Sequence, residues 1–328
     1  MLNDKHIWVT WERQTRNRSM AKVLQANYLE YTYKKGWFRY AVLSLKTIWV
    51  LFKKKPEVIY FQNPSVVLGL VCVLYGALCR RVTLVGDYHN CALDDASWLF
   101  RVNAFIARRC LFVIVTNSSL EGVVTRMGGA AVSFPDPLPE VEQIGVENAR
   151  KNTAIVFVTS WASDEPINEV LDAFIGAELR NAGASLLITG RPKFNKLVHL
   201  QDYYEQHDIK FMGFVDEASY WSLLKNAAFV IDLTTRDNCM VCGAYEALAV
   251  NRVLLLSGNQ ATRDYFGDGL VYTTNTRDDI QEKLLFMHNN IESLSDRVTG
   301  TVASVLKKQC ENVMKIKYLV EKNSQAGM

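Results

Sequence analysis

A two-domain α/β protein, each domain a doubly wound Rossmann-like parallel sheet, is the fold class this sequence predicts. Three observations lead there. Short apolar runs rich in β-branched residues alternate with helical segments along nearly the whole chain. Its 328 residues are more than one hydrophobic core usually organises. Residues 135–139, Pro-Asp-Pro-Leu-Pro, are followed by a polar, strand-poor stretch to Asn152, the best linker in the sequence. The expected division is a first domain at 1–138, a linker at 139–152, a second domain at 153–305 and a closing helix at 306–328.

In the first half, His6–Thr10 reads as a strand, 15–33 as a helix, 40–54 as an apolar-basic helix and 58–62 as a strand. Then come helix 66–79, strand 83–87, helix 94–110, strand 112–116, helix 118–127 and a short strand at 131–133. Val66 to Cys79 is the longest apolar run; too short to span a bilayer, it suits a buried helix. The second half resumes with strand 154–159, helix 167–180, strand 185–189, helix 195–207, strand 209–212 and helix 216–226. Strand 229–232, helix 242–250, strand 253–256, strand 270–272 and two helices from about Arg277 complete it. The first turn has no GxGxxG, so a dinucleotide cofactor is not indicated.

With 49% hydrophobic and 22% charged residues the composition is that of a globular protein. No signal peptide or membrane span is expected. Seven cysteines at irregular spacing argue against a disulfide framework and for a reducing cytosol. Cys239 and Cys242 form a CxxC without a second pair or nearby histidine, so no metal site is expected. Charge is unevenly placed: residues 1–135 hold 18 Lys and Arg against 8 Asp and Glu, and residues 136–328 hold 19 against 26. The first half should therefore face something anionic.

The stretch Phe229 to Leu256 is one βαβ unit, and in such units ligands sit at the carboxyl ends of strands, where helix N-termini suit phosphate. The 236–243 loop is the candidate anion cradle, with Asn238 and Cys242 in it and Gly243 allowing close backbone approach. Glu246, in the first turns of the helix, can reach a ribose diol or merely oppose the helix dipole. Gly213 and Phe214 end a strand, where a plain tight turn explains them. Ser160 and Trp161 open the loop Ser-Trp-Ala-Ser-Asp-Glu. Asp164 reads as a helix cap or a sugar contact. Phosphate charge would fall to Arg191 or Lys193 after Gly190, unless these are only an exposed basic loop.

Residues 242–266 and 209–217 resemble the nucleotide-sugar segments of GT-B glycosyltransferases, with Glu-Ala-x-Ala at 246–249. That resemblance implies a donor site in the second domain, Gly213 and Phe214 receiving the nucleotide base, Glu246 on the ribose, a cleft between domains as the active site and a last helix returning to the first domain. Where members often carry a second glutamate, this chain has Asn238. The SWxxDE loop, Gln62-Asn63-Pro64 and Asp87-Tyr-His89-Asn90 resemble the chitobiosyl-diphosphodolichol β-mannosyltransferase family. This implies His89 beside the reacting sugar and Asp87 as general base, although His89 alone would be an ordinary hydrogen-bonded histidine. It also implies Asn63 on the acceptor side, at a strand end facing the cleft. Arg13, Arg16 and Arg18 open the first helix, where the dipole favours acids, so they suggest a phosphate-bearing acceptor, solvated surface charge being the other reading.

Between Tyr31 and Lys55 stand seven basic residues and no acidic one, among them Lys34, Lys35, Lys53, Lys54 and Lys55, interleaved with Trp37, Phe38, Trp49 and Phe52. Such a mixture suits an anionic membrane surface. No nucleic-acid-binding signature accompanies it, and Trp49 and Phe52 would otherwise belong to the core. The expectation is a metal-independent glycosyltransferase without a cofactor, on the cytoplasmic face of a membrane. Its donor is a GDP- or UDP-linked sugar, with mannose suggested by the resemblance, and its acceptor a polyprenyl-diphosphate-linked saccharide. A nucleotide-sugar 2-epimerase and a catalytically silent partner subunit are the alternatives.

Overall fold

The computed structural model describes residues 3–34, 36–63, 65–79, 81–89, 92–93, 98–141, 153–191 and 201–326. The chain divides into two compact units, Met1–Pro137 with Lys307–Met328, and Leu138–Leu306. Each holds one six-stranded sheet whose strand pairs all run parallel.

In the first unit the strands are β1 (Asn3–Thr10), β2 (Ala26–Glu30), β3 (Val58–Asn63), β4 (Thr83–Tyr88), β5 (Phe112–Val115) and β6 (Ala131–Ser133), in the order β2-β1-β3-β4-β5-β6. Period-two alternation sorts their side chains onto two faces. Ile7, Val9, Ile59, Phe61, Val113 and Val115 pack with α2 (Phe38–Lys54), α3 (Val66–Leu78), α4 (Phe100–Ala107) and α5 (Glu121–Arg126). Trp8, Val58, Tyr60, Val85, Phe112 and Ile114 form the other core, with Met20 and Leu24 from the region of α1 (Thr15–Val23). Ile316 and Val320 complete that second face. They come from α12 (Ile291–Ala326), whose residues from 307 onward belong to this unit.

The helix expected over 15–33 is instead α1 followed by β2. Gln25, at φ 57°, breaks the helical path just after Leu24, and 26–30 pairs with β1, Trp8 opposite Tyr28. Strand pairing beside β1 overrides a local pattern that does not separate helix from strand. The helix expected at 94–110 is described as Phe100–Ala107, and 94–97 lie outside the described residues. The helix expected to be buried, α3, covers the sheet with Leu68, Val71, Cys72 and Tyr75 but exposes Leu70, Leu74 and Leu78. One side of a helix lying on a sheet faces outward whatever residues it carries.

The second unit contains β7 (Ala154–Phe157), β8 (Ser185–Thr189), β9 (Ile209–Gly213), β10 (Phe229–Asp232), β11 (Val253–Ser257) and β12 (Val271–Thr273), ordered β12-β11-β10-β7-β8-β9. Around it run α6 (Ile167–Gly176), α7 (Gln201–Glu205), α8 (Glu217–Lys225), α9 (Cys242–Ala249), α10 (Gln260–Phe266) and α11 (Arg277–Asn289). The short α10 was not foreseen; Asn259 caps it, accepting from Thr262 N at 3.0 Å. Most of the expected linker, and residues 195–200 of the expected 195–207 helix, lie outside the described residues.

The polar centre of the first unit is an ion pair. Arg16, only 5% exposed, reaches from α1 to the end of β4, where Nη2 lies 2.6 Å from Oδ1 of the fully buried Asp87. Its Nη1 lies 2.5 Å from Asp136, and Nη2 also donates to the Phe134 carbonyl. Burial opposes ionisation of Asp87, but the Arg16 guanidinium, with His89, outweighs it and holds the carboxyl well below the usual range. Removing Asp87 leaves the buried Arg16 with Asp136 as its other carboxylate partner. Asp87→Asn is therefore expected to cost about 3 kcal/mol, the low end for breaking a buried pair, in guanidinium unfolding of the first unit. Because the folded pKa is depressed, the stabilisation from Asp87 should be fully present above the unfolded carboxylate value of about 3.9 and be lost as pH falls toward the folded one. A pH series of unfolding midpoints checks both; an Asn variant with wild-type stability contradicts them.

Candidate functional site

In the second sheet β7 lies between β8 and β10, so the winding reverses there. At such switch points an open parallel sheet presents a crevice at the carboxyl ends of its strands. The loops after β7 and β10 are tied together by Asp164. Its carboxylate accepts from Thr234 Oγ1 at 2.8 Å and from Arg236 Nη2 at 2.9 Å, and its carbonyl from Thr235 N at 2.7 Å. Asp164 is thus a bridge, not the expected helix cap: Pro166 precedes α6, with no capping side chain. Glu165 folds the same loop onto itself, accepting from Ser160 N at 3.0 Å, Ser160 Oγ at 2.9 Å and Ala162 N at 2.8 Å.

That loop forces Trp161 to φ 60°, an unusual conformation for a bulky residue and one that clusters at functional loops. Its ring is buried, and Nε1 donates to the Thr189 carbonyl at 3.1 Å. Gly190, at φ 78°, lies so close beneath the Thr159 carbonyl that a Cβ would collide with it. Glycine is needed there on both counts. With Gly213, at φ 65°, these turns shape a pocket of about 510 Å³ lined by Val158, Thr159, Ser160, Thr189, Gly190, Arg191, Gly213, Phe214, Val215 and Tyr220.

Ser160, Gly190, Arg191, Gly213 and Phe214, picked out from sequence, therefore meet around one cavity. Trp161 supports it from beneath the surface and lines a neighbouring pocket of about 570 Å³ with Glu165, Glu169, Thr235 and Asn275. Lys193 lies outside the described residues. Glu246 is joined to the wall of the first cavity by Tyr220, whose hydroxyl donates to Oε2 at 2.5 Å.

The head of α9 differs from the expected open anion cradle. Asp232, at the end of β10, is buried and accepts from the Gly243 N–H, and a Cβ on Gly243 would collide with its carboxylate. Gly243 thus makes room for a side chain of the protein itself. Burial, then the negative charges of Glu246 and Glu165, push the Asp232 carboxyl well up, against the Gly243 hydrogen bond. Asn238 is exposed at φ 54°, a region asparagine tolerates, and Cys242 is the exposed first residue of α9. Sequence reading missed Tyr220, Asp232 and Thr234. Only Asp232, a carboxylate closing an otherwise apolar strand, carried a signal that could have been noticed.

At the carboxyl ends of the first sheet lies a second polar cluster. Gln62 accepts from Thr10 Oγ1 at 2.7 Å and from Asn17 Nδ2 at 2.9 Å, and donates to Gln14 Oε1 at 2.5 Å. Its Nε2 lies 3.4 Å from His89 Nε2, which stands 3.3 Å from Asp87 Oδ2. His89 is partly exposed, Asp87 almost wholly enclosed. The structure joins the two candidate catalytic residues but suits Asp87 poorly to the general-base role, since Arg16 already engages its carboxylate. Asn63, expected to meet an acceptor, is fully buried and donates to Asn103 Oδ1 at 3.0 Å. Of the three arginines, Arg16 is enclosed, while Arg13 and Arg18 are exposed and pair with Glu30 at 3.2 and 3.7 Å.

On α2 and at its N-cap, Trp37, aromatic residues turn outward: Trp37, Phe38, Trp49 and Phe52 are all exposed, so the last two are not core. Lys34, Lys53, Lys54 and Lys55 are exposed as well; Lys35 lies outside the described residues. Lys53 Nζ sits 5.1 Å over the Trp49 ring and Lys46 Nζ 4.2 Å over Tyr31. No described helix is long and apolar enough to cross a membrane.

No family model matches the chain, nor does any curated protein. Solved structures do. Anabaena HepE in complex with UDP superposes with a TM-score of 0.70 at 10% identity, covering 97% of this chain and 100% of that one. A glycosyltransferase from Rickettsia africae gives 0.68 at 8% identity, covering 98% and 99%. The lipopolysaccharide outer core galactosyltransferase WaaB gives 0.57 at 12%, covering 95% and 99%. At such identities the likeness is one of fold, and the fold of this chain, with its two parallel six-stranded α/β units, is that of the GT-B glycosyltransferases.

Proposed function

We propose that this protein is a glycosyltransferase that moves a sugar from a nucleoside-diphosphate donor to a lipid-linked saccharide, in the making of a surface polysaccharide or glycolipid. The observation that carries the reading is the cavity of about 510 Å³ at the strand ends of the second unit, whose lining includes Ser160, Gly190, Arg191, Gly213 and Phe214, residues the sequence picks out as donor-binding. HepE, of like fold, is described with UDP. In this proposal the base enters between Gly190 and Phe214, Glu246 faces the ribose, and the leaving diphosphate meets Arg191, with Lys193 near in sequence, without a metal ion. Mannose is the sugar that the resemblance of the Asp-x-His-Asn and SWxxDE segments suggests.

The acceptor chemistry falls to the first unit. His89 is the group with both exposure and a partner, so it takes the proton of the acceptor hydroxyl while Asp87 orients the imidazole. Arg13 and Arg18 are the arginines exposed to a phosphate-bearing acceptor. The outward aromatic and basic residues of α2 rest on an anionic membrane at its cytoplasmic face, each cation contributing on the order of 1 kcal/mol.

A thermal-shift series with nucleoside diphosphates tests the donor site: at 100 times Kd, binding should stabilise the fold by about 2.7 kcal/mol. No shift with any of them contradicts the proposal. His89→Ala should lower kcat about 10²- to 10⁴-fold while leaving nucleotide affinity unchanged, and wild-type turnover would remove His89 from the site. Replacing Lys34, Lys35, Lys53, Lys54 and Lys55 together with glutamine should abolish co-sedimentation with phosphatidylserine-containing vesicles and spare nucleotide binding. Retained vesicle binding assigns α2 another role.

A further inference from the structure

We propose that α3 joins α2 in a two-helix wedge that enters the acyl region of an anionic bilayer, so that apolar burial, and not charge alone, holds the first unit on the membrane. The inference rests on the reading of α2 as membrane-facing and goes beyond it by adding an uncharged helix and a depth.

Of the 21 large apolar side chains exposed among the described residues, 13 lie between Tyr33 and Phe105. On α2 they fall at Phe38, Val42, Leu45, Trp49 and Phe52, alternate steps of four and three that draw one stripe along a helix. Leu43, Val50 and Leu51 are buried and, at about 100° per residue, stand on the opposite side. So α2 has two apolar faces, and only one of them meets the sheet. α3 is divided in the same way: Leu68, Val71, Cys72 and Tyr75 are buried, whereas Leu70, Leu74 and Leu78 are turned out, Leu78 with 65% of its surface free. The two helices are fixed side by side. Tyr75 Oη donates to the Leu51 carbonyl at 3.0 Å, and its ring meets that of Phe52 edge-on at 5.1 Å. Both pack on the same face of the first sheet, so their outer stripes adjoin.

α3 contains no charged residue, and a helix apolar on every side is normally enclosed. An exposed apolar surface of this kind marks a partner, and the surrounding charge says which. Residues 31–86 hold nine Lys and Arg and one acidic residue, Glu57, which pairs with Lys5 at 3.7 Å. A second copy of this chain would set basic rim against basic rim, since a two-fold contact meets its own surface. An anionic bilayer complements both the charge and the stripes. Exposed Lys46 and Lys53, seven residues apart on one side of α2, can lay their stems along the apolar surface with the ammonium groups at lipid phosphates. Stable anchoring takes two signals: the lysines attract, the apolar side chains hold, and neither suffices alone.

Vesicles of phosphatidylcholine and phosphatidylserine, with or without bromine on the phosphatidylcholine acyl chains, test this with the full chain. Trp49 stands on the stripe, so bound wild-type protein should lose tryptophan emission to the brominated lipid, its apolar face lying about 5–10 Å into the headgroup–acyl boundary. Leu74→Ser combined with Leu78→Ser alters two exposed positions and no charge. The double variant should bind vesicles about tenfold more weakly or worse, with an unchanged melting transition. Wild-type affinity in that variant, or bound wild-type protein without bromine quenching, overturns the wedge and leaves α2 resting on the surface. A dimer in light scattering that the double variant abolishes overturns it too, because the face then belongs to a second copy. If wild-type protein does not bind these vesicles at all, the membrane reading of α2 fails, and the wedge with it.

Discussion

Strands β3, β4, β10 and β11 of the two parallel sheets are buried along their length, and that constraint decides where this protein can do chemistry. Side chains pointing above and below a covered sheet are spent on packing; only those at strand ends and in the loops beyond can meet a solute. In each unit the carboxyl ends are accordingly where polar residues collect. Thr10, Thr189 and Asp232 close β1, β8 and β10, and Gln62 and Asp87 stand one residue before the ends of β3 and β4. Buried polar groups must find partners, so these ends become networks.

The two networks solve that problem differently. In the first unit a cation enters the interior: Arg16 meets Asp87 and Asp136, and the net result is a carboxylate kept ionised. In the second, Asp232 has a backbone N–H and anionic neighbours, so burial and repulsion raise its pKa. Exposed Arg236 is held by Asp164 at the rim. The guanidinium of Arg16 favours the ionised form of Asp87, whereas burial and anionic neighbours favour the neutral form of Asp232.

Much of this was legible in the sequence, and the limits have physical causes. Apolar runs bounded by turn residues gave most of the strands, because buried parallel strands must be apolar throughout. β2 was hidden inside an expected helix, since a strand recruited by its neighbour leaves little local signature. Ser160, Gly190, Arg191, Gly213 and Phe214, which meet at the cavity, were legible together because glycine turns at Gly190 and Gly213 mark strand ends whatever follows. The roles of single residues were less so. Arg16 and Arg13 stand three positions apart, yet one is enclosed and the other exposed; only helix α1 lying on the sheet distinguishes them. Asn63 was expected to meet an acceptor because it sits in a strand-end motif, but strand β3 carries it into the interior. Tyr220 carried no mark, its importance arising entirely from contact with Glu246.

Hydrogen–deuterium exchange of the full chain, with and without a saturating nucleoside diphosphate, tests the central claim most directly: a nucleotide site at the carboxyl ends of the second sheet. The account predicts slowed exchange concentrated in residues 158–165, 189–191, 213–221 and 233–246, where bound ligand suppresses local opening. Protection centred on the first unit instead, or none in those four segments under saturation, would contradict it.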